Sequence, residues 1–404
     1  MAGTSLWEVD IIESFAMKDL HHHIDTIRQR LGKKLLILGH HYQREEVIVH
    51  TDLQGDSFQL SAAVAENTDC ETIVFCGVHF MAETADILAN SAENLARRRG
   101  RRIDVLLPDL EAGCSMADMA TRQTVEHCWN QLAGIIDVNG VVPITYVNST
   151  AELKAFCGQR GGIACTSTNA RAVLDTALRQ KRRVLFFPDQ HLGRNTALKM
   201  GIAESAIVCW DDTAEFGGHS ANQIRESRII LWNGYCSVHQ KFQPDHIAAI
   251  RATQPGIRVI VHPECCREVV DKADESGSTS YILQRISESP PGSAWAVGTE
   301  SQFVERLARR NPDKKVFHLA DLPSYCDTMG LIDLPKLAAV LGSVESGQPK
   351  NVIRVDYAMA TDALRCLQRM LECNDSHKTC DSPQCREQFP IDLDIVPNIH
   401  WKGT

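Results

Sequence analysis

The sequence predicts an α/β protein of three similar three-layer αβα domains, whose parallel sheets stand in a pseudo-threefold arrangement around a central active site. Short apolar runs alternate with helical patterns, which is typical of parallel sheets covered on both faces. The same order of elements occurs three times in 404 residues, a length that suits two or three domains. Polar side chains follow the apolar runs, and in such sheets the ligand site lies beyond the carboxyl ends of the strands.

Composition excludes several classes of protein. Hydrophobic residues make up 44% and charged residues 23%, which disfavours disordered, collagen-like and coiled-coil chains. The net charge is −9, and the longest basic block, RRRGRR at residues 97–102, is expected to be a solvated helix end, so we expect no nucleic-acid partner. The acidic N-terminus lacks the pattern of a signal peptide, and no apolar run approaches ~18 residues. We therefore expect a cytoplasmic protein without a membrane partner.

Fifteen cysteines are present without a single CxxC pair. Their spacing excludes zinc ribbons, thioredoxin-like pairs and the clustered iron–sulfur motifs of ferredoxins. In a reducing compartment they serve as buried apolar side chains, metal ligands or catalysts. Cys373, Cys380 and Cys385 lie in a polar stretch, CNDSHKTCDSPQCREQ, where solvated thiols are predicted and a metal or redox role is the alternative.

The first element of each repeat is an apolar strand that ends in a pair of polar residues. The three strands are KKLLILGHHY, VVPITYVNST and GIRVIVHPEC, and their pairs are His40 and Tyr42, Tyr146 and Asn148, His262 and Glu264. Because one residue separates the members of each pair, both side chains lie on the same side of an extended chain. His41 then points to the opposite face, where it is packed or at the surface.

The second element resembles a helix start rich in small hydroxyl side chains. The segments are GDSFQLSAAVA, TSTNARAVL and SGSTSYILQRI, and the predicted helix caps are Ser57, Ser167, Ser278 and Thr279. The first turn of a helix carries unpaired N–H groups and a partial positive charge, which attract carboxylate or phosphate. We therefore predict anion-binding positions here.

The third element is a strand that runs into a helix, and the fourth is a strand that ends in a cysteine loop. The third element reads TIVFCGVHFMAETADIL, RVLFFPDQHLGRNTAL and SAWAVGTESQFVERL in the three repeats. The fourth reads IDVLLPDLEAGCSMADM, RIILWNGYCSVHQKF and KVFHLADLPSYCDTM, with Cys114, Cys236 and Cys326 in equivalent places. If the strand ends face inward, a central cavity receives one cysteine from each domain.

Three converging thiolates suit a 4Fe-4S cluster, which ordinarily takes four cysteines. With three, one iron keeps an open position and acts as a Lewis acid on a substrate oxygen. Two alternatives stay open at this point. One is a zinc site completed by His239, three residues after Cys236, and the other is that the cysteines are structural, although Gly, Ser, Asp and Tyr neighbours fit buried packing poorly.

The motifs resemble one known family. GHHYQ, GDSFQLS, CGVHFMAETADIL, LPDLEAGCSMAD, YVNSTAELKA, TSTNA, FFPDQHLG, WNGYCSVH, HPEC, ADESGSTSYI and VGTE occur in the order found in quinolinate synthase, the NadA family. The resemblance extends from about residue 34 to about residue 341. Some members carry a CxxCxxC run at the third cysteine, whereas this chain has Cys326 alone, so that form of redox control is not expected.

The resemblance implies a 4Fe-4S cluster on Cys114, Cys236 and Cys326 and a condensation of iminoaspartate (iminosuccinate) with dihydroxyacetone phosphate to quinolinate, phosphate and water in de novo NAD biosynthesis. It also implies functional coupling to L-aspartate oxidase, which supplies iminoaspartate. The substrate-binding positions implied by it are His40, Ser57, Tyr146, Asn148, Ser167 and Thr279, and His262 and Glu264 are added as candidates from their side-chain chemistry. The catalytic candidates are Tyr42, His262 and Glu264, whose side chains suit proton transfer, with His239 near the substrate.

The predicted organisation is a helical segment over 1–30, repeats over 31–140, 141–250 and 251–345, and a C-terminal extension over 346–404. The leading hypothesis is a transferase, quinolinate synthase. An aconitase-like hydro-lyase with the same open iron is the enzymatic alternative. A non-enzymatic iron–sulfur redox sensor is the other alternative, but it would be expected to have four protein ligands and no anion-binding positions.

Overall fold

Three separate β-sheets, each flanked by helices, make up the chain. The structure is a computed structural model, and it describes residues 6–67, 69–181 and 183–375, with side chains from residue 18 to residue 373. Elements of the first sheet region are α1 (Leu6–Leu31), β1 (Leu35–His40), α2 (Glu45–Ile48), β2 (Leu53–Gly55), α3 (Ser57–Glu66), β3 (Thr72–Cys76), α4 (His79–Ala89), α5 (Ala92–Arg97), β4 (Asp104–Leu106), α6 (Ser115–Asp118) and α7 (Arg122–Ala133).

The second and third sheet regions follow, and then a C-terminal segment. Second come β5 (Val141–Tyr146), α8 (Ala151–Gln159), β6 (Ile163–Cys165), α9 (Ala170–Gln180), β7 (Arg183–Phe187), α10 (Gln190–Lys199), β8 (Ile207–Trp210), α11 (Ala221–Glu226) and β9 (Ile229–Trp232). Third come α12 (Pro244–Thr253), β10 (Arg258–Val261), α13 (Arg267–Lys272), β11 (Glu275–Ser276), α14 (Thr279–Ser287), β12 (Ala294–Gly298), α15 (Ser301–Arg310), β13 (Lys315–His318) and α16 (Leu334–Glu345). The last elements are β14 (Val352–Ile353) and α17 (Tyr357–Asp375).

Strand order is the same in all three sheets. It runs β2-β1-β3-β4, β6-β5-β7-β9 and β11-β10-β12-β13, and these strands pair in parallel. The first sheet gains β14 as an antiparallel edge and the second gains β8 as a parallel edge. The predicted α/β fold with a threefold repeat of αβα layers is confirmed. The strands β1, β3, β5 and β7 are buried along their whole length, as expected for sheets covered on both faces.

The cysteine loops are the places where the chain crosses from one sheet to the next. After the loop of Cys114, α7 packs near α8 of the second sheet, and after the loop of Cys236, α12 packs on α13 of the third. After the loop of Cys326, α16 returns to pack on α1 and β3 of the first sheet. The three sheets therefore form a closed ring, and each predicted ligand lies at one crossing.

The C-terminal helix α17 joins the first two sheet regions. It packs mainly on α8 and β6 and also on α4. Gly158 of α8 permits this approach, because a Cβ there would collide with the backbone carbonyl of Asp362. The prediction of a solvated thiol is wrong for Cys373, which is 6% exposed because it lies on the apolar face of α17. Cys380 and Cys385 lie outside the described residues.

Two of the predicted helix starts are corrected. Ser278 caps α14 as expected, but Asp56 rather than Ser57 caps α3, and its carboxylate accepts two backbone N–H groups of the first turn. Ser167 lies in the turn before α9, whose cap is Asn169. A carboxylate makes stronger, charge-assisted hydrogen bonds to N–H groups than a hydroxyl does, which explains the choice of Asp56. None of the described helices is long and apolar enough to cross a membrane.

Candidate active site at the junction of the three sheets

Strand ends from all three sheets meet in one buried place. His40 ends β1, Tyr146 ends β5, and His262 follows β10, and all three side chains are buried. The Tyr146 hydroxyl donates to the carboxylate of Glu264, which joins the second sheet to the third. The Tyr42 hydroxyl lies 2.8 Å from Oγ1 of Thr299, which joins the first sheet to the third. The structure thus brings together the polar pairs that the sequence predicts at the strand ends.

Glu264 is the centre of this arrangement. Its side chain is 3% exposed, and His239 places Nδ1 2.8 Å from Oε2 while Tyr146 donates to Oε1. His262 Nδ1 lies 3.9 Å from Oε1, and its ring stacks on that of His239 with centroids 4.4 Å apart. Burial alone would raise the pKa of Glu264, but the two histidines and the hydrogen bonds from His239 and Tyr146 outweigh it and hold the pKa below its usual range. Glu264 is therefore buried and ionised.

A hydrogen-bond chain leads from Glu264 to Tyr42. His239 uses Nδ1 toward Glu264 and places Nε2 3.0 Å from Oγ1 of Thr299, which also contacts the Tyr42 hydroxyl. The Tyr42 hydroxyl is itself 3.4 Å from His239 Nε2. Burial raises the pKa of Tyr42, and the charge of Glu264 raises it further, so the phenol keeps its proton at neutral pH. The chain can therefore carry protons between a base and a phenol.

The predicted anion-binding positions lie next to one another across the sheets. Oγ1 of Thr168, beside Ser167, donates to the Asp56 carboxylate at 2.8 Å, which brings that turn to the start of α3 and Ser57. Ser280, beside Thr279, donates to Oε1 of Gln59 in α3 at 2.7 Å. These contacts place the starts of α3 and α14 and the turn before α9 at one junction.

Asn148 provides a second sign that the junction receives a ligand. Its Oδ1 is buried without a hydrogen-bond partner among the described residues. An unpaired buried amide oxygen costs about 1–3 kcal/mol, so such an atom points to a group that the protein itself does not supply. Tyr146, two residues earlier, contacts Glu264, so Asn148 follows directly on the catalytic candidates.

The three cysteine loops contact one another beside this network. Oγ of Ser115 donates to Oγ of Ser237 at 3.4 Å, and Oγ of Ser324 donates to the carbonyl of Val238 at 2.9 Å. Ser115 and Ser237 follow directly on Cys114 and Cys236, and Ser324 stands two residues before Cys326. The three predicted cysteine ligands are partly buried residues. Burial raises the pKa of the Cys114 thiol to about 12. A metal that binds here must therefore displace the thiol protons.

The arrangement of the metal-binding side chains indicates which kind of metal group they can bind. In the described part of the chain, the compact group of metal-binding side chains is Cys236, His239 and Glu264, whose donor atoms all lie within 4.8 Å of one another. Cys114 and Cys326 do not belong to that group. The compact group therefore contains one of the three predicted cysteine ligands.

Comparison with known proteins agrees with this arrangement. The family described as NadA: Quinolinate synthetase A protein matches residues 22–372. The chain belongs to this family. Proteins named quinolinate synthase that resemble it include one from Rhodopirellula baltica, 54% identical over 87% of this chain and 90% of the relative. Others come from Nocardioides sp., 49% identical over 86% and 88%, and from Bacillus velezensis, 48% identical over 87% and 93%. The sequence resemblance to the quinolinate synthase family is confirmed.

Two residues of this quinolinate synthetase A family member escape prediction. Thr299 follows β12, and the strand registers place Gly77 and Pro188 at the same position in the other sheets. Neither has a hydrogen-bonding side chain, so comparing the repeats gives no signal for Thr299. His41 meets the prediction of packing, because it is buried with its ring centroid 5.3 Å from that of Phe303.

Arg306 is the other residue that escapes prediction. It lies in α15 of the third sheet region, is 3% exposed, and donates to the backbone carbonyls of His41 and Gln43, the latter at 2.9 Å. These carbonyls flank Tyr42, so Arg306 fixes the backbone that presents the phenol. The role of Arg306 cannot be predicted from the sequence of α15, because its hydrogen bonds are to a different sheet region.

Replacing Arg306 with methionine should lower the free energy of unfolding by roughly 2–5 kcal/mol, because two buried carbonyls lose their donor. Arg306→Lys should recover part of this loss, since an ammonium reaches one carbonyl but cannot span both. Urea unfolding of the two variants measures the difference. Equal stability of Arg306→Met and the parent would show that the carbonyls have other donors.

A pH dependence of stability follows from the buried histidines. Burial lowers the pKa of His40, His41 and His262 to about 3 each, against about 6.5 in an unfolded chain. The unfolded chain therefore binds more protons between these values, so the stabilisation is complete above about pH 6.5 and is lost as pH falls toward 3. His41→Leu should reduce the slope of stability against pH by up to about 1.4 kcal/mol per pH unit.

Urea unfolding at several values between pH 7 and pH 4.5 gives this slope. The control is His127→Leu, which changes an exposed histidine of α7. An unchanged slope in His41→Leu would contradict burial of a neutral imidazole.

Proposed function

We propose that the protein is a quinolinate synthase, a transferase that condenses iminoaspartate (iminosuccinate) with dihydroxyacetone phosphate and releases phosphate and two waters. One observation carries the proposal. Loops that bear Cys114, Cys236 and Cys326 meet beside Glu264, a buried carboxylate held by side chains of the neighbouring sheet regions. Membership of the quinolinate synthetase A family supports the same enzyme.

The cysteines fit a 4Fe-4S cluster better than a single zinc ion. Zinc holds sulfur and nitrogen ligands at ~2.0–2.3 Å, which brings the donor atoms to within about 4 Å of one another. Among the described residues, the compact donor group includes only one of the three cysteines, and both nitrogens of His239 already face Glu264 and Thr299. In a cluster, each thiolate binds a different iron. When bound, the cluster would supply an open iron that acts as a Lewis acid on a substrate oxygen.

Substrate binding is assigned to the polar groups at the junction. The two substrates carry carboxylates and a phosphate, and Ser57 and Thr279 place hydroxyl groups at the first residues of α3 and α14. Ser167 contributes from the turn beside them, and Asn148 offers its unpaired Oδ1 to an imine or amine N–H. His40 and His262 are neutral at neutral pH because burial lowers their pKa to about 3, so each can accept one hydrogen bond and donate another.

Proton transfer is assigned to the network around Glu264. The ionised Glu264 takes a proton from a substrate carbon, while Tyr42, whose phenol stays protonated, supplies one to a departing hydroxyl. Thr299 and His239 connect the two groups, so a proton taken at Glu264 can replace the one lost at Tyr42. Tyr146 holds Glu264 in place from the second sheet.

The test is anaerobic purification, followed by iron and sulfide analysis and an assay for quinolinate from dihydroxyacetone phosphate and freshly generated iminoaspartate. Quinolinate should form only when both substrates are present. A reaction without the triose phosphate is the control that separates a synthase from a hydro-lyase. A fully loaded cluster that yields no quinolinate would refute the proposal.

The supply of iminoaspartate completes the proposal. An L-aspartate oxidase is the expected source in the biosynthesis of NAD. The proposed location is the cytoplasm, where thiols stay reduced and a cluster with an open iron persists. An assay in which the oxidase generates iminoaspartate in the presence of this protein would show whether the two activities couple.

A further inference from the structure

The exposed surface around the three cysteines has an unusual composition. We call this surface the cysteine collar and define it as residues 109–118, 233–238 and 320–327. Six large apolar side chains are exposed in the described part of the chain, and four of them belong to the collar: Leu110, Tyr235, Leu322 and Tyr325. Leu322 is 79% exposed and Leu110 is 49% exposed. Apolar side chains concentrated in this way mark a site of interaction.

Each of these two kinds of side chain recurs at an equivalent position in two of the three loops. Leu110 and Leu322 each stand four residues before the cysteine of their loop, and Tyr235 and Tyr325 each stand one residue before it. The loops touch through Ser115 and Ser237 and through Ser324 and Val238, so the loops that carry these apolar side chains lie side by side.

The collar is also acidic. It contains five carboxylates and no lysine or arginine, and its acids are Asp109, Glu111, Asp118, Asp321 and Asp327. Asp109 is paired with Lys336 at 2.6 Å, and the other four are exposed. No lysine or arginine of the described residues lies within ion-pair distance of those four. The collar therefore presents apolar side chains inside a negative field.

A cavity of about 220 Å³ adjoins the third loop. Its lining includes the apolar residues Val304, Ala308 and Val316 and the carboxylates of Glu305 and Asp321. An arginine or lysine side chain suits such a place, because its stem packs on apolar groups while its charge meets the carboxylates.

The negative charge of the collar limits the kinds of molecule that can bind to it. A second copy of the chain would pair the same acidic patch with itself across a twofold axis, which like charges oppose. A partner protein with basic and apolar side chains remains.

The position of the thiols identifies the kind of partner. Cys114, Cys236 and Cys326 are partly buried, whereas eight of the ten other described cysteines are fully buried. The loops that bear the three proposed cluster ligands all belong to the collar. A protein that delivers a cluster must bring its own cluster-bearing thiolates to this surface.

We propose that the cysteine collar docks a protein with a basic face that donates a 4Fe-4S cluster to Cys114, Cys236 and Cys326, an inference that rests on the function proposed above. In the transfer, iron–sulfur bonds to the donor's thiolates break and three bonds to these cysteines form. The cysteine protons pass to the released donor thiolates, and the iron oxidation states do not change. Charge attraction mainly raises the rate of encounter, so transfer should slow as salt rises.

The experiment measures transfer into cluster-free protein under anaerobic conditions. The probe is a carrier protein that holds a 4Fe-4S cluster on cysteine thiolates, and circular dichroism follows the transfer. Leu110→Ser with Leu322→Ser removes the exposed apolar side chains, and Glu111→Lys with Asp321→Lys reverses two charges. Each pair should slow transfer about tenfold or more at low salt, and the charge pair should also weaken the salt dependence. Val49→Ser and Glu288→Lys, exposed changes outside the collar, are the matched controls.

Loading with ferrous iron and sulfide, without a carrier, distinguishes a weakened interaction with the carrier from a damaged cluster-binding site. Both collar variants should take up the cluster chemically at the parental rate and then form quinolinate normally. Parental rates of transfer from the carrier, equal slowing of chemical loading, or loss of self-association in the variants would each overturn the docking proposal. Failure of the parent protein to load chemically, or to form quinolinate once loaded, would instead refute the proposed function.

Discussion

Glu264→Gln is expected to reduce kcat for quinolinate formation by roughly 10²–10⁴-fold while the fold and the iron content stay unchanged. Glutamine has nearly the same shape, and its carbonyl oxygen can still accept the hydrogen bond from Tyr146. It cannot accept a proton, and its amide group would donate toward Nδ1 of His239, where the carboxylate now lies at 2.8 Å. The variant therefore loses the base and disturbs the hydrogen-bond chain to Tyr42.

The matched control is Glu275→Gln. Glu275 is a partly buried carboxylate of the third sheet region, and it pairs with Arg258 and Arg285 rather than with the histidines around Glu264. This control should cost some stability and leave kcat within about twofold of the parent. Anaerobic kinetics with iron analysis on both variants decides the matter, and near-normal turnover of Glu264→Gln would remove it from the catalytic role.

Substituting alanine for Cys114, Cys236 or Cys326 should abolish both the visible absorbance of the cluster and the activity. Each cysteine comes from a different loop, so two remaining thiolates leave a second iron without a protein ligand. The expected measurement is iron and sulfide per chain after anaerobic reconstitution, with the absorbance spectrum.

Cys373→Ala and Cys128→Ala are the controls. Both residues are buried cysteines outside the three loops, and both variants should keep the full cluster content while losing only packing. Full cluster retention after loss of Cys114, Cys236 or Cys326 would overturn the assignment of ligands.

Much of the fold and of the candidate site could be predicted because each weak sequence pattern occurs three times in equivalent places. The pair of polar residues at each strand end is ambiguous alone, but three pairs in equivalent positions indicate His40, Tyr146 and His262. Parallel sheets expose their carboxyl ends on one edge, so the same pattern also indicates that these residues meet.

What escaped prediction depends on contacts between sheets. Arg306 bonds to carbonyls more than 260 residues away in the chain, and no local pattern marks such a partner. The burial of Cys373 escapes prediction because the polar tail after it obscures a helical pattern. Ala363, Cys366, Leu367, Met370 and Cys373 recur at the spacing of one helix face, and all five are buried.

Because the sheets form a closed ring, the three crossings between them determine how rigidly the sheets are held relative to one another. Each joint between neighbouring sheets carries one of the three cysteines, so a rigid body bound to all three would lock every angle of the ring at once. Loss of that body would free three hinges together, and α7, α12 and α16 would loosen in concert. Hydrogen exchange in these helices should therefore slow on loading, while the edge strands β8 and β14 keep their rates.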